Sequence, residues 1–382
     1  MAKFIFVSTL TASPWGGSEE LWSQAALRLA QMGHAVTVSV CYWPEPAEGV
    51  QRLRRAGCRI VWRRRSPVNF VLKNLIKNHE TRKARRRLQR ATPHLVVLSS
   101  GNFVPDLSWC EACRQLEIPY ATISQAVAAC WWPSDTNACR LREAYGGARG
   151  LYFVSSENVR FVERMLGCRL LDARVVRNPF NVDYAVQCPF PQEDGCWRLA
   201  CVARLEPDAK GQDLLLEVLQ QDKWRERSVK LSLFGEGHNA QSVRQLASLY
   251  RLNHVTFCGH AENVEEIWRK HHLLVLPSRF EGLPLVLVEA MLCARPAVVT
   301  NVAGNPEVVE DGETGFVAAA ATAAHLDEAM ERAWQHRGNW RAMGVEAARQ
   351  IRRLVPPDPA GEFVKELMTL VRPSGRHLGW AL

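Results

Sequence analysis

The stretch 198-RLACVARLEPDAKGQDLLLEVL-219 holds a short apolar run, a turn-rich loop with two cations, and a leucine-rich helical pattern. A run that short, bounded by turn residues and followed by a helical period, is a buried strand feeding a helix. The unit recurs downstream as VKLSLFG at 229–235, HVTFCG at 254–259, HLLVLPS at 272–278 and PAVVTN at 296–301, each beside a helical stretch. An earlier series reads KFIFVS at 3–8, AVTVSVC at 35–41, HLVVLSS at 94–100, YATIS at 120–124 and LYFVSS at 151–156. Between the first two of these lies 18-SEELWSQAALRLAQMGH, apolar at 21, 25, 29 and 32. Ser18 is expected there as N-cap, Glu19 and Glu20 at the positive helix end, and Gly33 as the stop. Two consecutive alternating series predict an α/β protein of two doubly wound parallel-sheet domains. The boundary falls at 177-RNPFNVDYAVQCPFPQEDG, giving domains 1–178 and 179–356. A last helical stretch at 358–372 follows the breaker Val355-Pro356-Pro357, and the segment 357–382 is expected to cross back onto the first domain.

Length and composition agree with this. The chain has 382 residues, 47% hydrophobic and 23% charged, which excludes wholesale disorder and fibrous repeats. No run approaches the ~20 apolar residues of a membrane span, and the opening KFIFV is too short for a secretory core. Twelve cysteines without a framework spacing suit a reducing, cytoplasmic setting. The net charge of +9 is uneven. Residues 52–90 hold fifteen Lys or Arg, Arg65 among them, against the single acid Glu80, so this stretch is about +14 and the remainder about −5. Such a block suits an anionic membrane surface, with a solvated helical face as the plainer account. Nucleic acid is the weakest option, because no zinc-finger, aromatic RNA-binding or zipper pattern accompanies it.

In open parallel sheets ligands sit beyond the carboxyl ends of the strands, so chemistry is sought in the loops there. Arg204 follows one strand and Lys210 precedes the next helix; two cations on one such loop can converge on a diphosphate. In 277-PSRFEGLPLVLVEAMLCARP, Glu281 lies in the loop, with Pro284 in the first helical turn and Glu289 inside the helix. Glu289 interrupts an otherwise apolar helix, and a buried carboxylate without donors costs several kcal/mol, on the order of a broken ion pair. It therefore needs partners, either vicinal sugar hydroxyls or protein backbone. The N–H groups of Gly282 and Leu283 lie where a helix N-terminus holds anions.

Taken as a set, Arg204-x5-Lys210, Gly235-x-Gly237, Glu281-x7-Glu289 and 303-AGNPEVVEDGETGF resemble the retaining glycosyltransferases of family 4. The likeness is densest over 198–318 and looser at 13-SPWGGSEELW. It implies the GT-B fold, two Rossmann-like domains facing across a cleft. The implied reaction moves a hexose-type sugar from a UDP- or GDP-linked donor to a glycan or lipid-linked acceptor, as in making cell-surface polysaccharide or glycoconjugates. Arg204 and Lys210 would bind the diphosphate and Glu281 the transferred sugar, with Gly282 and Leu283 as nearby donors. Glu289 would take the ribose, His260 of the 259-GH turn the nucleobase, and Gly16 and Gly17 would let a loop approach the phosphates. Glu307 would be a supporting residue. The family often has a His where this chain has Gln125, which can hydrogen-bond but not shuttle a proton; same-face attack, with the departing diphosphate taking the acceptor's proton, needs no such base. Trp131 and Trp132, on the acceptor side, would stack on sugar or rest in headgroups, or simply fill core. No metal or other cofactor is expected, since D-x-D is absent from the chain.

Other signals are weaker. The run 235-GEGHNA has the form of a dinucleotide fingerprint, but the next strand lacks its acid. Cys110 and Cys113 form one C-x-x-C without a second pair, and read as neighbours on a helix face. His271 and His272 open an apolar strand and read as structural. Two other functions remain to be separated by experiment: a nucleic-acid or membrane binding protein with a degenerate cleft, and a nucleotide-sugar epimerase.

Overall fold

The computed structural model describes residues 1–11, 13–64 and 73–371, so Arg65 and the stretch 65–72 of the basic block, and 372–382 of the crossing-back segment, lie outside the described residues. The chain divides into two compact units, Met1–Pro179 with Asp358–Leu382, and Phe180–Pro357.

The first unit is built on an all-parallel sheet of β1 (Lys3–Ser8), β2 (Ala35–Cys41), β3 (Arg59–Arg63), β4 (Leu95–Ser100), β5 (Tyr120–Ser124), β6 (Gly150–Phe153) and β7 (Ala173–Val175). Their order is β3-β2-β1-β4-β5-β6-β7. Strand residues point alternately to opposite faces. Phe4 and Phe6 of β1 accordingly join Trp22, Ala25 and Leu29 in one core, whereas Ile5 and Val7 join Leu98, Trp109 and Phe153 in the other. Burial on both faces explains why these strands read as unbroken apolar runs.

The helix Pro359–Val371 belongs to this unit. Pro359 pre-sets its first turn, and Asp358 Oδ1 accepts from Gly361 N at 3.0 Å. Its apolar stripe, Phe363, Val364, Leu367 and Leu370, completes the core that holds Phe4 and Trp22. Phe363 meets Tyr152 edge-on at 5.0 Å, and Asp358 and Glu366 pair with Arg28 and Arg174.

Two local expectations are corrected. Ser18 does not cap a helix: it lies within the 3-10 turn Gly17–Glu19, and the α-helix runs Glu20–Gln31 with no side-chain cap. The turn closes through its own backbone, Glu19 N donating to Gly16 O at 2.9 Å. The basic block is not one helical face either. It is divided among the helix Glu48–Arg55, strand β3 and the helix Lys73–Ala91.

The second unit has β8 (Trp197–Val202), β9 (Val229–Phe234), β10 (Val255–Gly259), β11 (Leu273–Leu276), β12 (Ala297–Thr300) and β13 (Gly315–Ala318), all parallel, in the order β10-β9-β8-β11-β12-β13. Leu273 and Val275 face one core with Leu199 and Cys201, while Leu274 and Leu276 face the other with Ala200.

Candidate functional site

In the second sheet the strand order turns back between β8 and β11. Loops leaving these two strands diverge to opposite faces, and the crevice between them is where such sheets bind ligands. Both cations and Glu281 lie on those two loops. From β8 the chain passes through Arg204 into the single helical turn Pro207–Lys210, and Gly211 then leads into the helix Gln212–Leu219. From β11 it passes through Ser278 and Glu281 to the helix Leu285–Leu292. Pro284 stands at the N-cap with extended backbone (φ −63°, ψ 128°), one position before the first turn expected for it.

Across the crevice Lys210 Nζ donates to Glu281 Oε1 at 2.5 Å, and Ser278 Oγ donates to the same oxygen at 2.8 Å. The pair is largely withdrawn from water, with side chains 18% and 9% exposed. Arg204 is more open, 51% exposed, and lies 3.0 Å from Glu206 Oε1. Exposed pairs contribute little, about 0–1 kcal/mol, so Arg204 can trade Glu206 for a ligand anion at small cost. Glu206 Oε1 is also 3.5 Å from His238 Nδ1, on the loop after β9.

The loops are fixed to one another by backbone and by a part-buried fork. Arg279 grips Asp213 through two bonds of 2.6 and 2.7 Å, and its N–H donates to Ala209 O at 2.8 Å. Gly211 takes φ +66°, and a Cβ there would lie 2.0 Å from Pro277 O. Gly235 takes φ +125°, with a Cβ position 2.1 Å from Ala203 O. Gly282 and Leu283 are buried, and Gly282 O accepts from Gly304 N at 2.8 Å, which ties in the loop after β12.

Glu289 is 4% exposed, and burial raises its pKa. Its Oε1 accepts from the N–H and from the side-chain amide of Asn181, both at 2.9 Å. The donors its burial demands therefore come, at this oxygen, from the protein. His260 is exposed just past β10, at the carboxyl edge shared by these loops.

The expected residues of the first unit are placed less uniformly. Gly16 is extended (φ −168°), and a Cβ there would touch only Ser18 Oγ, at 4.0 Å, so neither its backbone nor its neighbours require glycine. Gln125 is buried, in reciprocal amide bonds with Asn178 (3.2 and 2.7 Å) and with a bond to Ser18 O at 3.3 Å. It ties the loop after β5 to the Gly16–Glu19 turn. The tryptophans part company: Trp131 packs against the core, and Trp132 is 60% exposed. Cys110 and Cys113 are both buried on the helix Leu107–Gln115, and burial drives both thiols up. His271 bonds Ile267 O and Ser232 Oγ, and His272 accepts from Arg198 N, as structural residues do. Among the described residues no three His, Cys, Asp or Glu gather as metal ligands.

The sequence does not reveal Asn181, Ser278, Arg279 or, in the first unit, the buried environment of Glu19. Glu19 is 3% exposed and lines a shallow cleft with Trp15, Trp43 and Trp62. Burial pushes its carboxyl up to about 7, against hydrogen bonds from Ser8 and Ser18 and the charge of Arg63. A raised carboxyl favours the folded state while it is protonated. Its contribution should be complete below about 4.5 and lost as pH rises to about 7, a change of about 3 kcal/mol. Glu19→Gln should therefore be more stable than the parent at alkaline pH and equal to it under acid. Urea midpoints measured across this range check it; parallel curves would contradict the burial cost.

Residues 197–336 match the family model of glycosyl transferases group 1. The N-acetyl-alpha-D-glucosaminyl L-malate synthase of Bacillus anthracis is 39% identical over 93 residues, 24% of each chain. The GDP-mannose-dependent alpha-(1-6)-phosphatidylinositol monomannoside mannosyltransferase of Mycolicibacterium smegmatis is 33% identical over 130 residues, 31% of this chain and 34% of its own. The matches thus span a quarter to a third of these relatives. Solved structures agree over nearly the whole length at low identity. The Anabaena HepE complex with UDP superposes with TM-score 0.73 at 17% identity, covering 96% of this chain and 99% of that one. A Rickettsia africae glycosyltransferase gives 0.76 at 13%, covering 98% and 99%. Residues 197–336 thus carry a glycosyl transferases group 1 segment, in a chain whose two Rossmann-like parallel-sheet units share the fold of GT-B glycosyltransferases.

Proposed function

We propose that the chain transfers a hexose-type sugar from a UDP- or GDP-linked donor to a glycan or lipid-linked acceptor, with retention of configuration and without a metal. The observation that carries this reading is the Lys210–Glu281 pair at the reversal of strand order, 2.5 Å apart and shielded from water. A diphosphate entering the crevice would draw Lys210 and Arg204 to its oxygens and leave the Glu281 carboxylate to accept from sugar hydroxyls. As the bond from the anomeric carbon to the diphosphate oxygen breaks, charge grows on that oxygen, and cations fixed nearby lower the barrier. The acceptor hydroxyl would bond to the same face of that carbon and pass its proton to the departing diphosphate. Gln125, fixed by Asn178, then serves to position its loop. Contact of Gly16 and Gly17 with the donor, of His260 with its base and of Glu289 with its ribose form part of the same proposal. The GDP-mannose-dependent relative and the structural neighbour solved with UDP support the donor class.

Nucleoside diphosphate release from purified protein, with UDP- and GDP-sugars in turn and a chelator present, tests the reading. Release with a new glycosidic bond supports it. A free epimer without transfer product would point to an epimerase, and no release with any donor to a binding protein. Activity lost to chelator and restored by a divalent ion would overturn metal independence.

We also propose that the enzyme works in the cytoplasm against an anionic leaflet. Among the described residues no helix is long and apolar enough to cross a membrane. Arg52, Arg54, Arg59, Arg82, Arg85, Arg86 and Arg90 are exposed, beside an exposed Tyr42–Trp62 edge contact at 6.0 Å. Each basic residue near such a surface contributes about 1 kcal/mol. Reversing Arg85, Arg86 and Arg87 to Glu should weaken sedimentation with anionic vesicles by about 100-fold or more, and spare transfer to a soluble acceptor. Equal vesicle binding would contradict the membrane assignment.

A further inference from the structure

Two thiols in the second unit lie outside everything used above. Cys188 is part-exposed in the segment that follows Phe180, and Cys293 is fully buried at the C-cap of the helix Leu285–Leu292. The two thiols lie close enough to shift each other's ionisation in opposite directions. Arg295, itself wholly buried, donates through Nη2 to Cys188 Sγ at 3.4 Å. That guanidinium cannot swing away. Its Nε holds Trp268 O and His271 O at 2.8 and 2.9 Å, its Nη1 holds Cys293 O at 2.7 Å, and its Nη2 also holds Pro189 O at 2.5 Å. A part-exposed sulfur, a fixed cation against it and a second thiol behind it are what a thiolate nucleophile with a resolving partner requires.

We infer that Cys188 and Cys293 form a peroxide-reactive pair that closes to a reversible disulfide. Cys188 thiolate attacks one oxygen of hydrogen peroxide; the S–O bond forms, the O–O bond breaks, and the hydroxide that leaves takes up the proton released when the thiol ionised, giving water as the sulfur becomes a sulfenic acid. Cys293 sulfur then attacks the Cys188 sulfur. The S–S bond forms, the S–O bond breaks, and hydroxide leaves with the Cys293 proton as a second water. Overall, two thiols and one hydrogen peroxide give one disulfide and two waters.

The electrostatics favour Cys188 as the attacking group. The neighbouring Cys293 thiol lowers its pKa against the cost of burial, with Arg295 and Arg269 assisting and Glu265 opposing. The same neighbour, with burial, holds the Cys293 thiol above the usual range. The other close pair, Cys110 and Cys113, is 1% and 0% exposed, and burial pushes both thiols up, so it lacks both access and thiolate. Closure would fix the Cys188 segment to the helix that carries Glu289, one turn before Cys293. Asn181 of that segment already bonds Glu289.

The full chain at neutral pH, treated with one equivalent of hydrogen peroxide and mapped by peptide mass, tests this. The expected result is a Cys188–Cys293 linked peptide pair, loss of two of the twelve thiols, and full return with dithiothreitol. Cys188→Ser should abolish the linkage, and Cys293→Ser should leave Cys188 as a sulfenic acid that dimedone traps. Free thiols at 188 and 293 while the exposed Cys130, Cys139 or Cys258 oxidise would overturn the pair. Should Cys293→Ser misfold, iodoacetamide alkylation of the parent protein decides. Cys188 should react at least about tenfold faster than those three exposed thiols at neutral pH, and equal rates would refute the assignment.

Discussion

Lys210→Ala is expected to lower turnover by about 100- to 1,000-fold, the scale seen when one preorganised donor to a developing oxyanion is removed. The effect should fall on kcat more than on KM, because the ammonium matters most once the diphosphate oxygen carries the charge released by the sugar. Fold stability should drop only modestly. The substitution removes no core residue, and Ser278 continues to donate to the Glu281 carboxylate left behind. Nucleoside diphosphate release under saturating donor, with a urea titration of the same preparation, separates the two effects. Turnover equal to the parent's would contradict the diphosphate assignment.

Gly211→Ala should damage fold and activity together. At φ +66° an alanine pays roughly 1–2 kcal/mol for the left-handed backbone alone. Its methyl would also lie 2.0 Å from Pro277 O, a backbone atom that can move only with the whole loop after β11. That loop carries Ser278, Arg279 and Glu281, so relief of the clash separates Glu281 from Lys210. A loss of about 3 kcal/mol or more in unfolding free energy is expected, with turnover reduced as far as in Lys210→Ala. Gly338 provides the control: nothing lies within 4 Å of its Cβ position and its backbone is unstrained. Gly338→Ala should stay within about 0.5 kcal/mol of the parent. Equal stability of the two variants would mean that the β8 and β11 loops are not held as described.

Much of this architecture is legible because most strands are buried on both faces. KFIFVS, HLVVLSS and HLLVLPS are apolar at successive positions, a pattern that only a sheet covered by two layers of helices sustains at such short length. The strands that escape reading are β3, β7 and β13, and each lies at a sheet edge. Arg59–Arg63 carries two arginines and merges into the basic block; Ala173–Val175 has three residues; Gly315–Ala318 hides at the end of a turn-rich motif. Edge strands are short and polar because one side must resist further pairing, which removes the signal a strand otherwise gives.

The site divides the same way. Arg204, Lys210 and Glu281 are legible from their places just beyond strand ends, and Glu289 from its interruption of an apolar helix. Their partners are not legible. Asn181 reaches Glu289 across 108 positions, Arg279 reaches Asp213 across 66, and Asn178 reaches Gln125 across 53. Bonds of that span leave no local period to read. The demand for donors at Glu289 follows from burial alone, but Asn181 as a supplier follows only from the folded chain. Ser18 shows the converse error: a good capping residue stands one position before the N-cap, inside a turn that the backbone closes itself.

Titration calorimetry of the parent protein and of the Arg204→Ala, Lys210→Ala double variant with UDP, GDP, ADP and TDP tests the central claim most directly. At least one diphosphate should bind the parent at a single site, bind its monophosphate counterpart far more weakly, and lose about 100-fold or more in affinity in the variant, two charge-assisted contacts having been removed. No binding by the parent to any of the four, or the same affinity in both proteins, would contradict the assignment of Arg204 and Lys210 as the diphosphate site.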